Sequence, residues 1–265
     1  MSDQAAITKR LERLRDAASG ADDPEALHKG LSAIAEADPA SGFEVAALWC
    51  ESADPAEREI AAMLLDHLMW RLEEEARIHA SRLLKPLLAD PAEGVVEAAL
   101  CALGHHDFYD PLLSDDIALW RHPADPVRSS FAAMIGCAPD QPRVERVLIE
   151  LSHDPVANIR DWATFGLAVQ SDSAAPEVLS ALRARLDDDD IDVRAEALCG
   201  LAKRQQEAIL PRLIDVLRGD VVTVPLVEAA EFLAKPELLP ALREAASRFN
   251  DDAALMDRAI AACSG

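Results

Sequence analysis

Seven side chains between positions 105 and 122 carry groups that bind divalent metals: His105, His106, Asp107, Asp110, Asp115, Asp116 and His122. Imidazole and carboxylate are common ligands of zinc and iron. The chain contains neither an HxxxH nor an HExxH spacing, and these residues fall between and around predicted helices. They read as a solvated loop, and no metal is expected. A second candidate is Asp161-Trp162, with Phe165 one helical turn further on. An aromatic anchor beside charge is the chemistry of a protein-binding hot spot. No nucleophile, base and orienting group come together anywhere in the chain, so no catalytic residue is assigned and no cofactor is expected. Five cysteines (Cys50, Cys101, Cys137, Cys199 and Cys263) form no CxxC pair, and their number is odd. They read as reduced thiols of a cytoplasmic protein.

These groups must be positioned by something, and the sequence shows what. Arg194 anchors a pattern that recurs at Val96, Arg128, Arg160 and Leu226, with spacings of 32, 32, 34 and 32. Three residues after each anchor stand Ala99, Phe131, Ala163, Ala197 and Ala229. Seven after stand Leu103, Ile135, Leu167, Leu201 and Leu233, and eight after stand Gly104, Gly136, Ala168, Ala202 and Ala234. Six before stand Asp90, His122, Asp154, Asp188 and Asp220. A fixed period of this length marks a repeat array. The spacing inside each unit is helical, and the small columns let helices approach closely. Asp-Pro pairs at Asp23, Asp38, Asp54, Asp90, Asp125 and Asp154 are expected to open helices, because Asp caps free N–H groups and Pro suits the first turn.

Asp154-Pro155 with Ile159-Arg160, Ala163, Gly166 and Leu167, and Asp188 with Val193-Arg194, Ala197, Gly200, Leu201 and Ala202, resemble the second helix of HEAT repeats. The period is that of short bacterial HEAT-like repeats, similar to those of phycobilin lyases. The resemblance covers about residues 40 to 263. It implies an all-α, right-handed α-solenoid of antiparallel helix pairs, in which turn acids and the column arginines pair between neighbouring repeats. His122, Val96 and Leu226 depart from that pattern. Hydroxylases of this family bind iron through His-Glu pairs, and the chain has no His-Glu dipeptide. DNA glycosylases of the family use Asp and Trp in a basic groove, which the charge around Asp161-Trp162 does not provide.

The chain is read as one domain over residues 1 to 265, with capping helices in 1–40 and about seven helix pairs in 41–263. Helices are expected at 3–18, 24–36, 42–52, 55–70, 72–89, 93–104, 111–120, 141–152, 174–186, 206–218, 236–249 and 252–263, besides those at the anchors. The formal net charge is −22, from 26 Lys and Arg against 48 Asp and Glu. Such a surface repels nucleic acid and anionic membranes and favours a basic protein partner, or serves solubility. No apolar run is long enough to span a bilayer.

The second helices of such an array line its concave side, where Trp162, Glu196 and Glu228 should form a stripe with Asp161, Phe165 and Glu231 beside it. Asp188 and Asp190 belong to an acidic ridge at the turns. The expected function is a non-enzymatic protein-binding scaffold, a bacterial inhibitor, immunity or adaptor protein. The alternative is a phycobilin-lyase-like or other small-ligand-binding enzyme of the same fold.

Overall fold

The computed structural model describes residues 2–18, 24–138, 141–249 and 251–265. These residues contain sixteen α-helices and no strand. The chain forms two compact units, Met1–Met134 and Ile135–Gly265. The first holds α1 (Ser2–Ala18), α2 (Pro24–Ala37), α3 (Pro39–Trp49), α4 (Pro55–Met69), α5 (Glu74–Leu84), α6 (Glu93–His105), α7 (Tyr109–Leu112) and most of α8 (Asp125–Gly136). Here α4 packs against α2, α3 and α6. The second unit holds α9 (Pro142–Leu151), α10 (Ala157–Phe165), α11 (Pro176–Arg185), α12 (Ile191–Lys203), α13 (Leu210–Leu217), α14 (Val224–Leu233), α15 (Leu239–Ala245) and α16 (Ala253–Cys263). In it α10, α12, α14 and α16 lie side by side, and each packs on the helix that precedes it. No helix among the described residues is long and apolar enough to cross a membrane.

The columns seen in the sequence are the core. Ala99, Phe131, Ala163, Ala197 and Ala229 are all fully buried, as are Leu103, Ile135, Leu167 and Leu201. The small residues eight after an anchor meet glycines six after the next one, backbone to backbone. A Cβ on Gly166 would lie 2.9 Å from the Cα of Gly136, and one on Gly200 would lie 2.8 Å from the Cα of Ala168. The obstacle in each case includes main chain, which cannot rotate aside, so these helices approach closely only because the side chain is absent.

The turn column makes a hydrogen-bond pattern repeated in both units. Asp90, Asp154 and Asp188 each accept, through a carboxylate oxygen, the backbone N–H two residues ahead. His122 does the same with Nδ1 towards Ala124, and Ser52 with its hydroxyl towards Asp54. His122 is therefore a chemical equivalent of the acids at this turn, not a break in the pattern. The arginine six residues later donates to the carbonyl of the turn residue: Arg58 to Ser52, Arg128 to His122, Arg160 to Asp154 and Arg194 to Asp188. Arg58 thus belongs to the arginine column, hidden because 38 residues separate it from Val96.

Arg58 and Arg160 also reach the turn acid of the next repeat. Arg58 grips Asp90 at 2.6 and 2.9 Å, and Arg160 grips Asp188 at 2.8 and 2.7 Å. The Asp188 carboxylate is only 3% exposed and also meets Arg185 at 3.2 Å. Arg194 donates to the carbonyls of Asp188 and Asp189. Arg160→Ala should therefore lower unfolding free energy by about 1–3 kcal/mol, since it takes from a buried carboxylate its two shortest charge-assisted bonds and leaves only Arg185 to answer it. Arg194→Ala should cost less. Equal denaturant midpoints for the two variants would contradict this assignment.

Three expectations need correction. Residues 111–120 do not form one helix. The chain makes the short α7, turns through Ser114–Asp116, and passes Ala118 in the left-handed region (φ 48°) before a 3₁₀ turn at Leu119–Arg121. Ser-Asp-Asp offers the backbone local side-chain bonds that compete with helix. Asp90 and Asp154 do not cap helices, because the N-cap positions are Ala92 and Val156 and the acids close the turn before them. Asp38 and Asp54 do cap α3 and α4. Asp23 lies outside the described residues. Finally, α10 does not continue as α-helix: Gly166–Gln170 widens into a π turn.

Candidate partner-binding site

The second unit brings three acids of alternate helices together: Asp161 on α10, Glu196 on α12 and Glu228 on α14. Each follows from the repeat register, one or two positions after an anchor. Glu196 lies between the other two and is largely buried, and its Oε2 has no hydrogen-bond partner. Asp161 Oδ1 is likewise enclosed and unpartnered. Burial, reinforced by Asp161, Glu228 and Asp192, pushes the Glu196 carboxyl up to about 8. Burial, with Asp192 and Asp190 adding to it, pushes Asp161 up to about 6. Both shifts have the sign expected of carboxylates that are desolvated near like charges. Among the described residues, Asp161, Glu196 and Glu228 make no ion pair with Lys or Arg. Cys199, on α12, points its thiol at Glu228 Oε2 at 3.8 Å. Burial first, and the acids second, raise that thiol well above its ordinary value, so it is an inert group.

The aromatic pair stands next to this row. Trp162 and Phe165 are both partly exposed on α10, and their rings meet edge to face at 6.0 Å and 87°. The remaining expected site residues have other engagements. Glu231 pairs with Arg258 at 3.0 Å. Asp188 is closed by Arg160 and Arg185, and Asp190 caps α12 by accepting from Asp192 and Val193. The turn acids at 188 and 190 therefore hold helix ends, while Asp161, Glu196 and Glu228 crowd one another with no cation beside them. The His-Asp group near position 105 is also engaged. His105 Nδ1 and His106 Nε2 bind the carboxylate of Asp66 at 3.0 and 3.1 Å. Among the described residues, no group of three or more His, Cys, Asp or Glu is arranged to hold a metal.

Sequence reasoning missed Arg204. Its guanidinium donates to the carbonyls of Leu167, Ala168, Ser171, Ser173 and Gly200 at 2.6 to 3.3 Å. The only signal was a π turn that no local pattern announces.

No known family's sequence model matches the chain. YibA of Escherichia coli strain K12 is 30% identical over 126 residues, which are 48% of this chain and 44% of YibA. In sequence, the chain thus spans less than half of that relative. The X-ray structure of Escherichia coli YibA superposes on 100% of this chain and 97% of its own, with a TM-score of 0.73 at 21% identity. A HEAT-like repeats protein of the archaeon Thermococcus onnurineus NA1 matches with a TM-score of 0.54 at 15% identity, over 94% of this chain and 98% of that one. The fold is the all-α solenoid of HEAT-like repeat proteins. The karyopherin Kap121p, in a structure bound to the SUMO protease Ulp1p, matches the HEAT-like chain with a TM-score of 0.63 at 16% identity. That match covers 98% of this chain and 33% of Kap121p.

Proposed function

We propose that this HEAT-like repeat chain is a non-enzymatic scaffold that binds a basic protein through the acidic and aromatic surface of its second unit. The role that fits is an inhibitor, immunity or adaptor protein. The observation that carries the reading is Glu196, a largely buried carboxylate flanked by two others, with an unpartnered oxygen and no cation beside it. Burying like charges costs stability unless something compensates. A lysine or arginine of a partner would supply that compensation, and Trp162 and Phe165 offer the apolar anchor beside it. The net charge of −22 would steer a basic partner and raise its association rate. Kap121p bound to Ulp1p is an instance of protein binding by the same fold.

Selection from a random peptide display library tests this directly. Bound peptides should be enriched in Lys and Arg with neighbouring apolar residues. Trp162→Ala, if it folds normally, should weaken the selected peptides by about 2 kcal/mol or more, mainly through faster dissociation. Glu196→Gln should weaken them and reduce the salt dependence of binding. Peptides without basic enrichment, or binding unchanged by both substitutions, would overturn the proposal.

A further inference from the structure

The first unit contains a cavity that the site above does not use. It has a volume of about 330 Å³ and is lined by α2, α4 and α6, with His28, Glu59, Met63, Asp66, Glu97 and Cys101 among its walls. Its charges divide into two groups. Asp66 is held below the usual carboxylate range by its bonds to His105 and His106, against the opposing effect of burial, so its charge is answered within the fold. His28 Nδ1 lies 3.2 Å from His67 Nε2. Glu59 and Glu97 have no such cation. Glu97 accepts one bond from the Ser130 hydroxyl at 2.6 Å, and Glu59 has no hydrogen-bond or ion-pair partner among the described residues. Burial, then the charge of Glu97, raises the Glu59 carboxyl above its ordinary value. Glu59 occupies a space left by Gly94, since a Cβ there would lie 2.7 Å from Glu59 Oε2. Beside the two acids the wall is apolar, made by Met63, Ala98 and Cys101.

Acids alone would be a solvated face. A half-open cavity with an apolar wall and two carboxylates that no cation answers fits a different thing: a methylene stem tipped by a cation. We propose that the cavity receives a lysine side chain of a protein partner, its ammonium between Glu59 and Glu97 and its stem along Met63 and Cys101. Two carboxylates on separate helices suit a compact point charge with three donors better than a planar fork. The proposal rests on the protein-binding reading but concerns a separate place in the fold.

The test uses the full chain with its methionine methyl groups labelled with carbon-13, and n-butylammonium chloride as the lysine side-chain probe. The Met63 methyl signal should shift and saturate, while n-butanol, of similar size but neutral, should leave it unmoved at matched ionic strength. Glu59→Gln combined with Glu97→Gln should weaken the probe at least about tenfold. Glu196→Gln should not change it, which separates this site from the one in the second unit. A short Ala-Lys-Ala peptide, blocked at both ends, should shift Met63, and the same peptide with an acetylated lysine should not. That comparison needs no variant and holds even if the double substitution unfolds the protein. No saturable shift, equal shifts from both peptides, or a shift seen only with free spermidine or n-propylguanidinium would each overturn the assignment.

Discussion

Arg204→Met should strongly destabilise the second unit, lowering unfolding free energy by about 3–4 kcal/mol. The midpoint of thermal unfolding should fall by roughly 10 °C, given the usual relation for chains of this size. The reason lies in the backbone. A π turn at Gly166–Gln170 shifts the bonding pattern by one residue, and the chain then runs through Ser171–Ala175 without helix. Carbonyls at Leu167, Ala168, Ser171 and Ser173 would face the interior with incomplete partners. Arg204 reaches across from the end of α12 and donates to all four, and to Gly200 of its own helix. Methionine keeps the stem and removes the donors, so the carbonyls lose partners that water does not replace where access is restricted. Arg204→Lys should rescue little, because one ammonium cannot span acceptors that a planar guanidinium bridges. The neighbouring Lys203→Met should cost far less, since the Lys203 amine meets Val169 and Ser171 at the surface. Chemical denaturation of the three variants checks the order. A wild-type midpoint for Arg204→Met would mean that the π turn holds itself.

The contrast between Arg160 and Arg204 shows what can be read from a sequence of this kind. Arg160 stands in a column, and a column is evidence: the same residue type at a fixed spacing implies the same neighbours. The core positions and most of the helices were readable for that reason, and the pairing of Arg160 with a turn acid followed from the HEAT resemblance. Arg204 stands in no column. Its role depends on a π turn at Gly166–Gln170, where the backbone also lies close to Gly136, and neither feature has a local signature. Arg58 was lost for a simpler cause, because an irregular spacing moved it out of register. The same logic applies to the candidate sites. The register set Trp162, Glu196 and Glu228 in one column, since equivalent positions of successive repeats adjoin, and Asp161 stands one residue before that column. It could not show that Asp188 is closed by two arginines while Glu196 has none, because that depends on which side chains reach across. The cavity of the first unit was unreadable altogether, since it needs Gly94 to leave room for Glu59.

Glu196 should make the stability of the folded chain fall as pH rises through the neutral range. Its folded value of about 8 lies above its ordinary 4.5. Between those two values the folded chain keeps a proton that the unfolded chain has released, so the fold binds more protons and loses stability as they are removed. The contribution is complete below about pH 4.5 and is lost as pH rises through 8. Asp161, raised to about 6 and adjacent, acts in the same direction, and the two titrate as a pair, not as independent groups. Acids with lowered values, such as Asp90 and Asp188, act oppositely, but only below about pH 4, where their salt bridges are protonated. The wild-type chain should therefore be most stable near pH 5. Glu196→Gln removes the charge and keeps the shape. The variant should be more stable than wild type at pH 9, by on the order of 2–4 kcal/mol after allowance for partial exposure, and nearly equal to it at pH 5. Urea unfolding at the two pH values measures the difference. A constant offset between variant and wild type from pH 5 to 9 would show that Glu196 is ionised throughout. It would then be a solvated acid, already answered by water, with no desolvation cost left for a partner cation to relieve.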